Sequence, residues 1–166
     1  MSKSAPSRAE AGAAPAPYHI DHIAAHVGRV IGITQWLTID QERIDQFARV
    51  TEDFNPLHVD PAAAKDGPFG ATIAHGFLTL SLLSRFSEQA GLRPEGVAYA
   101  LNYGFERVRF MAPVKVGSRI RNRVVLTNVS DKGAGRIMLR TQNTVEIDGG
   151  AKPALVADWL GLFVKE

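Results

Sequence analysis

The longest apolar stretch of the chain, residues 71–91 (ATIAHGFLTLSLLSRFSEQAG), constrains the fold most strongly. Its spacing predicts a helix of four or more turns that ends at Gly91. A helix that is apolar nearly all round has to be buried on most of its surface. The apolar side chains of this stretch are Ile73, Phe77, Leu78, Leu80, Leu82, Leu83 and Phe86.

Four β-like segments follow this helix, at residues 97–105, 119–129, 136–147 and 154–164. In the third, Ile137, Leu139, Thr141, Asn143, Val145 and Ile147 alternate onto one face. Turns typical of hairpins (SDKGAG and DGGAKP) separate the later segments, which indicates an antiparallel meander. Because an apolar sheet face has to be covered, and only residues 73–90 are apolar enough, we predict an α+β fold with an antiparallel sheet wrapped around a central helix.

The segment before the apolar helix predicts shorter elements. Residues 19–28 have helical spacing that stops at Gly28, and residues 34–39 (TQWLTI) are typical of a short strand. Thr38 and Gln41 fit a capping box for a second helix, with Ile44, Phe47 and Ala48 on one face. That helix is expected to end near Thr51, because Pro56 disfavours helix at the residue before it. Residues 61–70 (PAAAKDGPFG) predict a helical turn, capped by Asp60, and then a loop.

Composition bounds the possible functions. A chain of 166 residues fits one domain with a real core. The absence of cysteine excludes disulfides, thiol catalysis and cysteine-ligated zinc. A net charge of +2 is no argument for nucleic acid. Residues 1–17, rich in Ala, Pro and Ser, predict a flexible tail without a secretory h-region, which leaves residues 18–166 as a single domain. We expect a cytoplasmic protein, since no apolar run reaches membrane length.

An acid and a histidine lie five residues apart in TEDFNPLHVD, residues 51–60. The Phe-Asn-Pro-Leu sequence between Asp53 and His58 forces a turn, so the two side chains can converge. Histidine exchanges protons near neutral pH, and a carboxylate beside it can orient the ring or a water molecule. Asn55 can hydrogen-bond locally and hold the turn. On spacing alone, loop and capping roles for Asp53 and His58 remain the more common interpretation.

Gly76 opens the apolar helix. A glycine at a helix start leaves its amide unobstructed and directed along the helix dipole, which suits a developing oxyanion. The alternative is that Gly76 is small only because another group packs against it. His75, directly before it, fits a satisfied core histidine best.

These pieces together resemble a known family. The pattern D-x-N-P-L-H-x5-A is filled by Asp53, Asn55, Pro56, Leu57, His58 and Ala64, followed by IAHGFL at 73–78 and RFMAPVKVGSRI at 109–120. From about residue 33 to 163 the chain is similar to the MaoC-like (R)-specific enoyl-CoA hydratases, the hydratase 2 group of the hotdog fold. One departure is Glu52, because the family usually has glycine before the aspartate.

The resemblance implies roles for particular residues. Asp53 and His58 correspond to the catalytic dyad that activates water, and the Gly76 amide to the donor that binds the thioester carbonyl. Ser84 corresponds to a serine that helps to set the water and the dyad, and Asn55 to a position that shapes the turn. The implied reaction is reversible hydration of a trans-2-enoyl thioester to an (R)-3-hydroxyacyl thioester.

The resemblance also implies the partners. No metal or redox cofactor is needed, the substrate is an acyl thioester of coenzyme A or acyl carrier protein, and two copies form a homodimer. Two alternatives remain, an acyl-CoA thioesterase on the same fold and a non-catalytic acyl-thioester-binding or structural subunit.

Other residues invite functional interpretations that the sequence favours less. His22 and His26 have metal-binding spacing but no third ligand nearby, so surface placement is preferred. Several basic side chains of the later strands are candidates for the phosphates of coenzyme A, although a solvated strand face explains each of them as well. They are Arg107, Arg109, Lys115, Arg119, Arg121 and Arg123.

Overall fold

The computed structural model describes residues 18–166, so the predicted tail at residues 1–17 lies outside the described residues. A short 3-10 helix, Ile23–His26, comes first. The α-helices are α1 (Gln41–Thr51), α2 (Pro56–Val59), α3 (Pro61–Lys65) and α4 (Gly76–Gln89). The strands are β1 (Val30–Ile33), β2 (Leu37–Thr38), β3 (Val97–Phe110), β4 (Arg119–Asp131), β5 (Arg136–Ile147) and β6 (Leu155–Lys165).

The strands form one antiparallel sheet in the order β1-β4-β5-β6-β3, and β2 also pairs with β4. The predicted meander is correct for β4, β5 and β6, but β3 pairs with β6 at the far edge instead of with β4. The loop between β3 and β4 explains the difference. It is hydrogen-bonded to the segment before α4, through Ala74 N to Val114 O (2.8 Å) and Val116 N to Thr72 O (2.9 Å). It therefore cannot close as a hairpin.

The central helix fills the inner face of the sheet, as predicted. Leu78, Leu82, Leu83 and Phe86 of α4 are buried in one cluster with residues of β4, β5, β6 and α1. The partners include Ile120, Val145, Leu155 and Ile44. One side of the helix start remains open, because Phe77 is 70% exposed and lies edge-on to Phe110. Phe77 is therefore the large apolar residue of this helix that the core does not cover.

The N-terminal elements are shorter than the sequence predicts. Only four residues of the predicted helix at 19–28 form a helical turn, and it is a 3-10 turn. Strand β1 was not predicted, and the predicted strand at 34–39 is reduced to the two residues of β2. The cap of α1 is Asp40, whose side chain accepts a hydrogen bond from Arg43 N (2.9 Å). The predicted cap, Thr38, is instead paired with Arg119 of β4.

Helix α1 ends on a left-handed residue. Glu52 has φ 58° and ψ 21°, the conformation in which helices commonly terminate on glycine. The glycine that the resemblance implies at this position would adopt such a conformation without strain. The glutamate adopts the same conformation, and the chain turns there toward Asp53.

A Glu52→Gly variant is expected to raise the free energy of unfolding by about 0.5–1 kcal/mol, because relief of the left-handed strain exceeds the added entropy of the unfolded chain. Urea unfolding measures the change. Glu52→Ala is the control, since it removes the exposed side chain and keeps the strain, and it is expected to stay within about 0.5 kcal/mol of the parent. Equal stability of the glycine and alanine variants would contradict the backbone explanation.

None of the helices within residues 18–166 is long and apolar enough to cross a membrane. The cytoplasmic location stays a prediction.

Candidate active site

A one-turn helix carries the histidine of the acid–base pair. The expected turn between Asp53 and His58 includes α2, which begins at Pro56. Asn55 caps it, because its side-chain oxygen accepts a hydrogen bond from Leu57 N (3.0 Å) and its carbonyl accepts one from His58 N (2.8 Å). Proline suits the first helical position, where its missing N–H costs nothing.

The side chains of Asp53 and His58 converge, and His75 joins them. One nitrogen or carboxylate oxygen from each of the three residues lies within 4.8 Å of the other two. The His58 and His75 rings stack with centroids 3.8 Å apart and planes 30° apart. Exposure differs across the group, since the side chain of His75 is 2% exposed and that of Asp53 is 54% exposed. The group therefore has a buried floor and a carboxylate that faces solvent.

A backbone carbonyl sets the orientation of the His58 ring. Its Nδ1 lies 2.7 Å from Ile73 O. A carbonyl only accepts, so in the neutral ring the proton sits on Nδ1, and Nε2 is left with the lone pair of a base. The two segments are also joined by Ile73 N donating to Leu57 O (3.0 Å). Ile73 acts through its backbone, so its side-chain identity gives no sequence signal for this role.

Gln41 supports the turn from α1, a role that the sequence analysis did not identify. Its Nε2 donates to His58 O (2.7 Å) and to Asp45 Oδ1 (2.8 Å). Its Oε1 accepts from the buried Thr72 Oγ1 (2.5 Å). Gln41 therefore links the start of α1 to α2 and to the segment before α4. In the sequence, Gln41 fits only the capping box of α1.

The start of α4 lies one residue from the histidine pair, because Gly76 follows His75. The first amides of a helix have no partner within it, and none of the backbone hydrogen bonds of residues 18–166 uses the Gly76 amide. A Cβ at Gly76 would meet the Phe110 ring at 3.1–3.3 Å. Gly76 therefore has an amide without a backbone partner and also packs closely against an aromatic ring, and its role as an oxyanion donor stays a prediction.

The backbone holds both histidine rings of this three-residue group. Each ring already has one nitrogen on a carbonyl, His58 Nδ1 on Ile73 O and His75 Nε2 on Asp53 O (3.0 Å). The expectation that no metal is needed stays a prediction.

Ser84 is not brought to this group within the chain. It is exposed on α4, eight residues beyond Gly76, or about 12 Å along the helix. There it lines a cavity of about 350 Å³ together with Asn102 and Trp159, among others. The role that the resemblance implies for Ser84 stays a prediction.

The six basic candidates lie in different surroundings. Arg123 lies within the sheet on β4, paired with Ile33 of β1 and Thr144 of β5. Arg107, Arg119 and Arg121 form ion pairs with Asp158, Asp148 and Glu146 respectively. These pairs favour the structural interpretation for the three arginines. Arg109 and Lys115 lie nearer to the start of α4. Arg109 adjoins Phe110, and Lys115 forms an isolated bridge with Ile73.

The two histidines with metal-like spacing, His22 and His26, lie away from this site. His22 is exposed and precedes the 3-10 helix, and His26 is its last residue, with its ring edge-on to Tyr18. Among residues 18–166 the group of Asp53, His58 and His75 is the one cluster of potential metal ligands, and it does not include them.

Comparison with known proteins gives a consistent result. The family model described as "MaoC like domain" matches residues 22–147. The chain is 47% identical over 142 residues to 3-hydroxyacyl-thioester dehydratase Z of Mycobacterium tuberculosis, covering 86% of this chain and 93% of that protein. It is 40% identical over 81 residues to an (R)-specific enoyl-CoA hydratase of Aeromonas caviae, covering 49% and 57% of the two chains.

A solved structure agrees with the fold. The (R)-hydratase of Aeromonas caviae involved in PHA biosynthesis superimposes with a TM-score of 0.67 at 27% identity, over 80% of this chain and 95% of that one. The hotdog fold expected from the sequence is therefore confirmed. With its acid–histidine turn packed against the start of a buried helix, and with a family match over most of its length, this chain belongs to the family of MaoC-like domains.

Proposed function

We propose that this protein catalyses the reversible hydration of a trans-2-enoyl thioester to an (R)-3-hydroxyacyl thioester. The observation that carries the proposal is the convergence of Asp53 and His58 beside His75, which directly precedes Gly76 and its free amide at the start of α4. Two relatives support the reaction class by their names, a 3-hydroxyacyl-thioester dehydratase and an (R)-specific enoyl-CoA hydratase. The (R) configuration of the hydroxyl group is proposed from the name of the second relative.

The residues supply the acid–base steps that hydration needs. Water is a poor nucleophile, so His58 accepts its proton through Nε2 as the oxygen bonds to the β-carbon. Electrons move from the double bond toward the thioester oxygen, and an enolate-like charge develops there. The proton then passes through Asp53 to the α-carbon, so the dyad ends the cycle as it began. Because the α- and β-carbons are neighbours, a single compact acid–base pair can serve both.

The helix start supplies the oxyanion donor. The Gly76 amide faces the developing charge at the positive end of α4. Apolar side chains border this point, since Phe77 and Phe110 are half or more exposed and contact one another. They offer a surface for the acyl part of the substrate, and Arg109 and Lys115 are proposed to meet the phosphates of a coenzyme A or carrier-protein handle.

We also propose that two copies join along β3. This strand is 14 residues long and ends the sheet, so its outer edge has no partner strand among the described residues. Several of its large apolar side chains are exposed, among them Tyr99, Leu101 and Tyr103. A long apolar edge invites pairing with another strand, and a second copy would cover it.

His58→Ala and Asp53→Asn are each expected to lower kcat for hydration by at least about 10²-fold, because each removes an acid–base group. Loss of enoyl-thioester absorbance measures the rate, and dehydrogenases specific for (R)- or (S)-3-hydroxyacyl thioesters read the configuration. His22→Ala, an exposed histidine outside the site, is the control and is expected to keep full activity. Wild-type activity in either dyad variant would contradict the proposed mechanism. Release of free thiol without hydration would indicate a thioesterase.

Gly76→Pro tests the oxyanion donor. Proline is tolerated at the first position of a helix, and His75 already has φ −56° and ψ 139°, a conformation that suits the residue before proline. The matched control is Gly76→Ala, which adds a Cβ beside Phe110 and keeps the amide. We expect kcat/KM of the proline variant to fall about 10²–10³-fold below that of the alanine variant. Equal values for the two would exclude the amide as donor.

Sedimentation equilibrium tests the pairing. The wild type is expected to sediment as a dimer, and a Leu101→Arg/Tyr103→Arg variant as a monomer, because buried unpaired charges oppose the interface. Val50→Arg is the control, since Val50 is 79% exposed on α1, away from β3. A wild-type monomer at assay concentration, or a dimer unaffected by the β3 changes, would contradict pairing along β3.

A further inference from the structure

His75 is the one histidine of the chain that is buried. Its side chain is 2% exposed, whereas the other four histidines are partly or fully exposed. It occupies the cap position of α4, but its side chain makes no capping hydrogen bond. A helix cap therefore does not explain the residue. The cost of burying it is visible, because its Nδ1 is buried and has no hydrogen-bond partner among the described residues.

The contacts of His75 reach both members of the dyad. Its Nε2 lies 3.0 Å from Asp53 O, and since a carbonyl accepts, that nitrogen donates. The Asp53 carboxylate is 4.0 Å from the same nitrogen. The His58 ring stacks on the His75 ring, with the two ring centroids 3.8 Å apart. Phe47 of α1 adds an apolar contact at 5.1 Å between centroids.

Few other contacts hold Asp53 in place. Its carboxylate accepts one long local hydrogen bond, from Asn55 N at 3.4 Å, and it follows Glu52 with its left-handed backbone. The residue would be free to shift if His75 did not hold its carbonyl. His58 is better held, by Ile73 O and by the stacked ring.

We propose that His75 is a positioning residue for the hydration described above, and that it fixes the distance from Asp53 to His58 and to the neighbouring Gly76 amide. One side chain thereby sets the relative placement of base, acid and oxyanion donor, while it does not itself contact the reacting atoms. This inference rests on the proposed function for its kinetic consequence. The geometry explains why the chain keeps a buried nitrogen without a partner, since the same ring supplies a donor and a stacking face.

Three substitutions of His75 distinguish the effect of its N–H donor from the effect of its ring. Gln places an amide N–H where His has Nε2, so His75→Gln keeps the bond to the Asp53 carbonyl and loses the ring. Asn is shorter and cannot reach that carbonyl, and Leu has neither donor nor acceptor. A misplacement of about 1 Å in an active site costs up to about 10²-fold in rate, so we expect His75→Leu and His75→Asn to lower kcat about 10–10²-fold.

We expect His75→Gln to recover most of kcat, with KM within about threefold of the wild type in all three variants, since His75 does not touch substrate. The thermal midpoint of His75→Leu is expected to equal or exceed that of the wild type, because the buried nitrogen without a partner is gone. A structural role would give the opposite result, a lower midpoint with an unchanged kcat. Wild-type kcat in the leucine variant, or a glutamine variant as slow as the leucine one, would overturn the proposal.

A measurement independent of activity completes the test. Long-range proton–nitrogen NMR distinguishes the two nitrogens of each ring, and the chain has only five histidines to assign. We expect the proton on Nε2 in His75 and on Nδ1 in His58, near neutral pH. If the wild type hydrated no enoyl thioester, the proposed function would fail. The spectrum would still test the hydrogen bond of His75, because it does not depend on activity. The reversed assignment for His75 would overturn the proposal even in an active enzyme.

Discussion

The burial of α4 against the inner face of the sheet is the interaction on which the rest of the structure depends. Phe86 and Leu83 are almost completely inaccessible, and their cluster joins three strands to α1. Burying each such side chain stabilises the fold by about 1.5–3 kcal/mol. Because the helix is fixed in this way along its length, its N-terminus is fixed as well. The free amides of its first turn thus become a rigid feature of the surface.

The candidate site is assembled on the backbone that leads into this helix. Residues 72–75 hydrogen-bond on one side to the loop between β3 and β4 and on the other to α2. Ile73 orients His58 through its carbonyl, and His75 holds Asp53 through its ring nitrogen. Asp53 and His58 are therefore positioned by the same short segment that carries Gly76, the proposed oxyanion donor. Rigid placement of this kind is what an acid–base mechanism requires.

Two unfavourable features adjoin Asp53. Glu52 adopts a left-handed conformation without the freedom of glycine, and His75 buries a nitrogen without a partner. Each costs stability, and both adjoin Asp53, in sequence or in space. They are not unique among the described residues, since Ala134 is also left-handed and Asn122 Oδ1 and Arg43 Nε are also buried without a partner. Local strain next to a candidate acid–base residue is consistent with a functional region.

The sequence by itself determined the fold class, the central helix and the bounds of β5, and it indicated that Asp53 and His58 can converge. These features follow from local periodicity and from the stiffness around Pro56, and both act over a few residues. Tertiary structure alone decided the position of β3, the support from Gln41 and the bonds from Ile73 and His75. These depend on contacts between residues up to tens of positions apart, such as Thr72 with Gln41, and on backbone carbonyls, which every residue carries and no sequence pattern marks.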